Sequence, residues 1–114
     1  MNKLSVAGLL AIALTTPALA DDGESLEQAT SRLRACAHSG SAGAPRDSLQ
    51  VAVAAVRALC TPQLKRVRQI SDQQINANHA GESEDKLAEL RLRAWRKVDF
   101  DLALLVSRET GLQP

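Results

Sequence analysis

Apolar residues recur at helical spacing in four stretches of this chain, and each stretch opens on a residue suited to cap a helix. Ser25 and Gln28 form an S-x-x-Q capping box, after which Leu26, Ala29, Leu33, Cys36 and Ala37 share one face of a first helix that should fade near His38. The segment 39–47, SGSAGAPRD, reads as a flexible connection that Pro45 closes. Asp47 is the expected cap of a second helix, with Gln50 at the reciprocal position. There Leu49, Val53, Val56 and Cys60 form the inner stripe, beside Ala52, Ala55 and Ala58, which leave room for close packing.

The residue before a proline avoids the helical region, so Thr61 and Pro62 should end the second helix. The same pair can restart the chain, with Thr61 as cap and Pro62 at the first helical position, where its missing N–H costs nothing. A third helix is expected to run to about Asn78, burying Leu64, Val67, Ile70 or Ser71, and Ile75, with Lys65, Arg66 and Arg68 towards solvent. After a short break over 79–82, Ser83 caps the last helix, and Glu84 and Asp85 favour its positive end. Its core stripe is Leu87, Leu90, Ala94, Val98, Leu102 and Leu105, widened by Leu92, Trp95 and Val106, and Gly111 is placed to stop it. At 1.5 Å per residue this helix should be about 40 Å long, so its tail should project or pair with a second copy. The expected architecture is all-α, a small bundle of about four helices with one long C-terminal helix.

The N-terminus departs from this pattern. Lys3 precedes an apolar run over 4–14, and Ala18 and Ala20 stand where a signal peptidase reads small residues, just before Asp21. The expected organisation is a signal peptide over 1–20, cleaved between Ala20 and Asp21, then one domain over 21–114 opening with a flexible acidic leader at 21–24. The run is too short to serve comfortably as a membrane span, so no stable anchor should remain after cleavage. A short signal and a mature chain richer in Arg than Lys suggest a bacterial product, periplasmic or secreted.

Removing Lys3 from the 14 Lys and Arg residues leaves 13 against 13 acidic ones, a formally neutral product. Neutrality argues against nucleic acid, whose phosphates demand a net basic face. The charge is nevertheless uneven, with the acids Asp21, Asp22, Glu24 and Glu27 preceding a basic middle, so the leader can lie against that middle. With one Trp and one Phe, the core must come from Leu, Val, Ile and Ala. Such small side chains line few deep pockets, which disfavours a small-molecule enzyme.

Cys36 and Cys60 are the two cysteines of a chain bound for an oxidising compartment, so they should form a disulfide. A tight antiparallel hairpin would hold them about 18 Å apart, far beyond a bridgeable Cα separation of about 7 Å. The expected resolution is that 39–47 runs back alongside the helices. A redox cysteine normally sits in CxxC or beside an activating base, and a metal set of Cys36, His38, Cys60 and His79 lacks the usual ligand spacing. No cofactor or metal is therefore expected.

On the last helix Arg91, Arg93, Trp95, Arg96 and Lys97 form a candidate interaction surface, with Asp99 and Asp101 just beyond. Those two carboxylates diverge on a helix and cannot act as a paired acid and base. Salt bridging, Glu89 with Arg93 for instance, is the ordinary fate of such a face.

Two short resemblances add to this reading. Asp72, Ile75 and Asn76, followed by Leu90, Arg91, Arg93 and Trp95, resemble motifs of the LprI-like lysozyme inhibitors, small exported helical proteins with cysteines. Leu92 and Asp99 depart from that pattern, and there is no later cysteine. Gln74, Ile75, Ala77 and Asn78, followed by Leu87, Leu90 and Arg91, look like the helices of secreted AroQ-class chorismate mutases, where arginines and a lysine hold a dicarboxylate. Here His79 stands in the lysine's place. The expectation from the residues themselves is a non-enzymatic, exported interaction or envelope accessory protein with a protein partner.

Overall fold

The computed structural model describes residues 23–114; the signal peptide, its cut between Ala20 and Asp21, and most of the acidic leader lie outside the described residues. Four helices make up the described chain: α1 (Leu26–Ala42), α2 (Leu49–Leu59), α3 (Thr61–Asn78) and α4 (Glu84–Thr110), with no strand among the described residues. A disulfide joins Cys36 to Cys60 with Cα atoms 5.9 Å apart.

Local signals set most of the helix ends. The capping box at Ser25 forms in both directions, with Ser25 N donating to Gln28 Oε1 and Gln28 N donating to Ser25 Oγ. Ser83 Oγ accepts from Lys86 N at the start of α4, and Gly111 ends that helix at φ 77°, a left-handed conformation that glycine adopts without a Cβ penalty. The second cap lies one residue later than the sequence suggests: Ser48 Oγ, not the Asp47 carboxylate, accepts from Val51 N.

Tertiary packing moved another boundary. Helix α1 does not fade at His38 but runs one more turn, to Ala42, through a Gly/Ser segment of poor helix propensity. Ser41 is buried and its hydroxyl donates to Ala37 O, while Arg46 donates to Ser41 O and covers the helix end. Gly40 packs so closely on α2 that a Cβ there would lie 2.9 Å from Leu59 Cδ2. Gly40 opposite Val56 and Leu59, and Cys36 opposite Cys60, mark one antiparallel register. The geometric difficulty of the disulfide thus disappears in two parts. The extra turn of α1 moves Cys36 away from the hairpin end, and residues 43–48 climb past that end to begin α2 beyond it.

Helices α2 and α3 form one bent column. Pro62 lacks the N–H that would bond to Ala58 O, and its ring crowds that carbonyl. Thr61 sits inside α3 rather than capping it, and its hydroxyl lies 2.9 Å from Arg57 O and 3.0 Å from Ala58 O, replacing the lost bond. The column runs antiparallel to α4: Arg57 meets Asp99 from α2, while Arg68, Asp72 and Asn76 meet Asp99, Trp95 and Arg91 in turn from α3. Helix α1 lies along α4 in the same direction, with His38 reaching Glu109.

The core gathers where these rods overlap. Ala29, Leu33 and Ala37 of α1, Leu49, Ala52 and Val56 of α2, and Leu64, Val67 and Ile70 of α3 close around Leu102 and Val106 of α4. Cys60 is fully buried among them. Arg68, expected in solvent, instead packs against α4, and Ile75 is half-buried rather than core. Glu24 is nearly covered, its carboxylate lying between Arg32 and Arg66 at 3.1 and 2.9 Å. The last leader residue is therefore held on the basic α3.

Candidate functional site

Helix α4 carries the charged and aromatic residues that the sequence singles out, and the fold divides them between two faces. Trp95 and Arg91 turn inward to α3. The Trp95 indole N–H donates to Asp72 Oδ1 at 2.8 Å, and the Arg68 guanidinium lies over its ring, 5.4 Å from the centroid. Arg91 donates to Asn76 Oδ1 at 2.8 Å and to Glu84 Oε1 at 2.9 Å. One turn further on, Asp99 receives Arg57 of α2 at 2.8 Å and Arg68 of α3 at 3.1 Å, tying both halves of the bent column to α4. These are positioning contacts along a helix seam.

Arg93, Arg96 and Lys97 turn outward. Arg93 pairs with Glu89 and Lys97 with Asp101 one turn away, at 2.9 and 3.1 Å, whereas Arg96 has no ionic partner among the described residues. Phe100 and Leu104 stand on the same outer side, 63% and 40% exposed. Asp99 and Asp101 point in different directions, one into the seam and the other to Lys97.

Beside this face a groove of about 710 Å³ runs between α1 and α4. Its floor is Leu33, Val98, Leu102 and Leu105, and its edges carry Arg34 of α1 with Lys97 and Arg108 of α4. Both of its acidic groups are engaged within the molecule, Asp101 by Lys97 and Glu109 by His38 Nδ1 at 2.6 Å. Arg34 has no ionic or hydrogen-bonding partner among the described residues, and Arg108 reaches only the Leu104 carbonyl, at 3.4 Å.

The cysteines leave no free thiol, both sulfurs being in the bridge. Among the described residues no group of three or more His, Cys, Asp or Glu side chains could hold a metal ion, and His38 and His79 sit on separate elements. The residues that look like a chorismate mutase motif are dispersed: Gln74, Asn78 and His79 are exposed, while Arg91 is committed to Asn76 and Glu84.

The sequence reading did not anticipate Asp99 as a hub, Phe100 as an outward residue, or the α1/α4 groove. Asp99 follows Trp95 by one turn and precedes Leu102 by three residues, so its place on the inner face was visible in the spacing. Its arginine partners lie 31 and 42 residues away in the chain, beyond any local signal. No protein-family model, curated protein or solved structure matches this chain.

Proposed function

We propose that this chain is exported from a bacterial cell and works by contact with another protein rather than by catalysis, using the outward face of α4. The observation that carries the reading is Phe100. A chain with one Phe and one Trp would gain most by burying both, yet Phe100 is 63% exposed and stands beside Arg93, Arg96 and Lys97. Exposed aromatic and arginine side chains in one patch are the composition of an interface centre. Support for export comes from the N-terminal pattern and from the Cys36–Cys60 bridge, since such bonds persist in oxidising compartments.

A photo-crosslinking residue at position 100, in the protein produced in its own bacterium, should give one discrete adduct that Arg96→Glu weakens. The same residue at Gln73, exposed on α3, should not give it. Absence of a discrete adduct from every exposed position tried would end the contact reading.

A second reading is favoured by one specific contact pattern. Both stretches that resemble LprI-like lysozyme inhibitors meet across the α3/α4 seam, through Asp72 with Trp95 and Asn76 with Arg91. On this reading the partner is a lysozyme, and the purified protein should slow its hydrolysis of cell walls at near-stoichiometric ratio.

A further inference from the structure

The α1/α4 groove combines an apolar floor with an unbalanced cationic edge. Leu33 and Leu102 close its base, Val98 and Leu105 are only partly covered, and Leu104 continues the apolar surface over the outer lip towards Phe100. Lys97 and Arg108 are eleven residues apart on α4, so the edge extends about 16 Å, or three helical turns. Within it Asp101 pairs with Lys97 and one Glu109 oxygen is taken by the His38 ring, so three cations stand against two carboxylates and neither Arg34 nor Arg108, on opposite sides of the groove, has a carboxylate partner among the described residues.

We infer that this groove is a docking site for an amphipathic helix of a partner protein, one that carries acidic residues beside its apolar stripe. The inference rests on the contact reading above and names the chemistry of the partner. The apolar stripe of such a helix would cover Val98, Leu105 and Leu104, as helices do in open hydrophobic grooves. Its carboxylates would meet Arg34 and Arg108 on either side, where a guanidinium can take a carboxylate through two hydrogen bonds. A second copy of α4 fits poorly in this place, because its outer face brings the unpaired Arg96 against like charges and no spare carboxylate, Glu89 and Asp101 being taken by Arg93 and Lys97.

The test uses the purified, oxidised protein and two labelled synthetic helices that share one leucine stripe, one flanked by Glu and the other by Lys. The Glu-flanked helix should bind saturably and more weakly as salt rises, with nuclear resonance shifts centred on Leu33, Val98 and Leu105. The double variant Arg34→Glu/Arg108→Glu, whose sites are exposed, should keep the helical spectrum and lose at least about tenfold in affinity. Equal binding of the Lys-flanked helix, an unchanged affinity in the double variant, or binding to phosphatidylglycerol vesicles but to neither helix would overturn the inference. A crosslinker at Thr30 on the groove edge separates this from the broader reading. Adducts from position 100 but none from Thr30 would retire the groove and spare the contact function; silence at every position retires both.

Discussion

The two ends of α4 are held by different physics. From Val98 to Val106 the helix lies against α1 and α2 and supplies Leu102 and Val106 to a closed apolar core, near the Cys36–Cys60 bridge. From Glu84 to Trp95 none of its side chains is fully buried, and its hydrogen bonds to another helix run to α3. That half is aligned instead by directional contacts, Asp72 with Trp95 and Asn76 with Arg91, over half-buried Leu87, Leu90 and Ala94. One helix can therefore be rigid by burial at one end and positioned by polar pairing at the other, and stability should concentrate at the bridged end.

Breaking the bridge should have the largest effect. Its cysteines are 24 residues apart, and the chain-entropy model assigns such a ring about 3.5 kcal/mol, so Cys36→Ser/Cys60→Ser should lower Tm by well over 10 °C in a thermal melt. A small drop would mean that the core alone holds α1 to α2. Next comes a matched pair of truncations on α4. Leu102→Ala, in the closed core, should cost about 3 kcal/mol in denaturant unfolding, and Leu90→Ala, on the half-buried seam, about 1 kcal/mol. Similar costs at both sites would erase the contrast.

A smaller effect should separate the seam from the core. Asp72→Ala leaves the Trp95 indole N–H without its acceptor and should cost about 1 kcal/mol. Hydrogen exchange in that variant should speed up over 86–94 while 98–107 stay protected; uniform acceleration would show that the seam and the core open together. The smallest effect should come from Gly40→Ala. The new Cβ meets Leu59 Cδ2 at 2.9 Å, but Leu59 is 63% exposed and free to turn away. The gain in helix propensity, at most about 1 kcal/mol, should offset that shift and leave the melting curve nearly unchanged.

Much of this was legible where a signal was local. The capping box at Ser25, the cap at Ser83, the break beside Pro62 and the stop at Gly111 are short-range hydrogen-bonding or steric rules, and they operate as the residues predict, except that Cys60 rather than Thr61 is the capping residue before Pro62. The α1 extension was not legible, because a Gly/Ser run is read as a linker unless something packs on it. The groove was invisible for a related reason: it is the space left between two helices 70 residues apart in the chain, and no spacing within either one encodes it.

By itself, then, the amino-acid order determined that the described chain is helical, where most helices start and stop, and that two cysteines would be joined, since periodicity, caps and a lone cysteine pair act over short distances or by elimination. Only the tertiary structure decided which of the α4 side chains turn inward to Asp72, Asn76 and Asp99, and which remain outside with Phe100. The physical reason is that a helix offers charged residues all around its circumference, and which of them is a tether and which a free surface depends on the neighbour that packing places against each side.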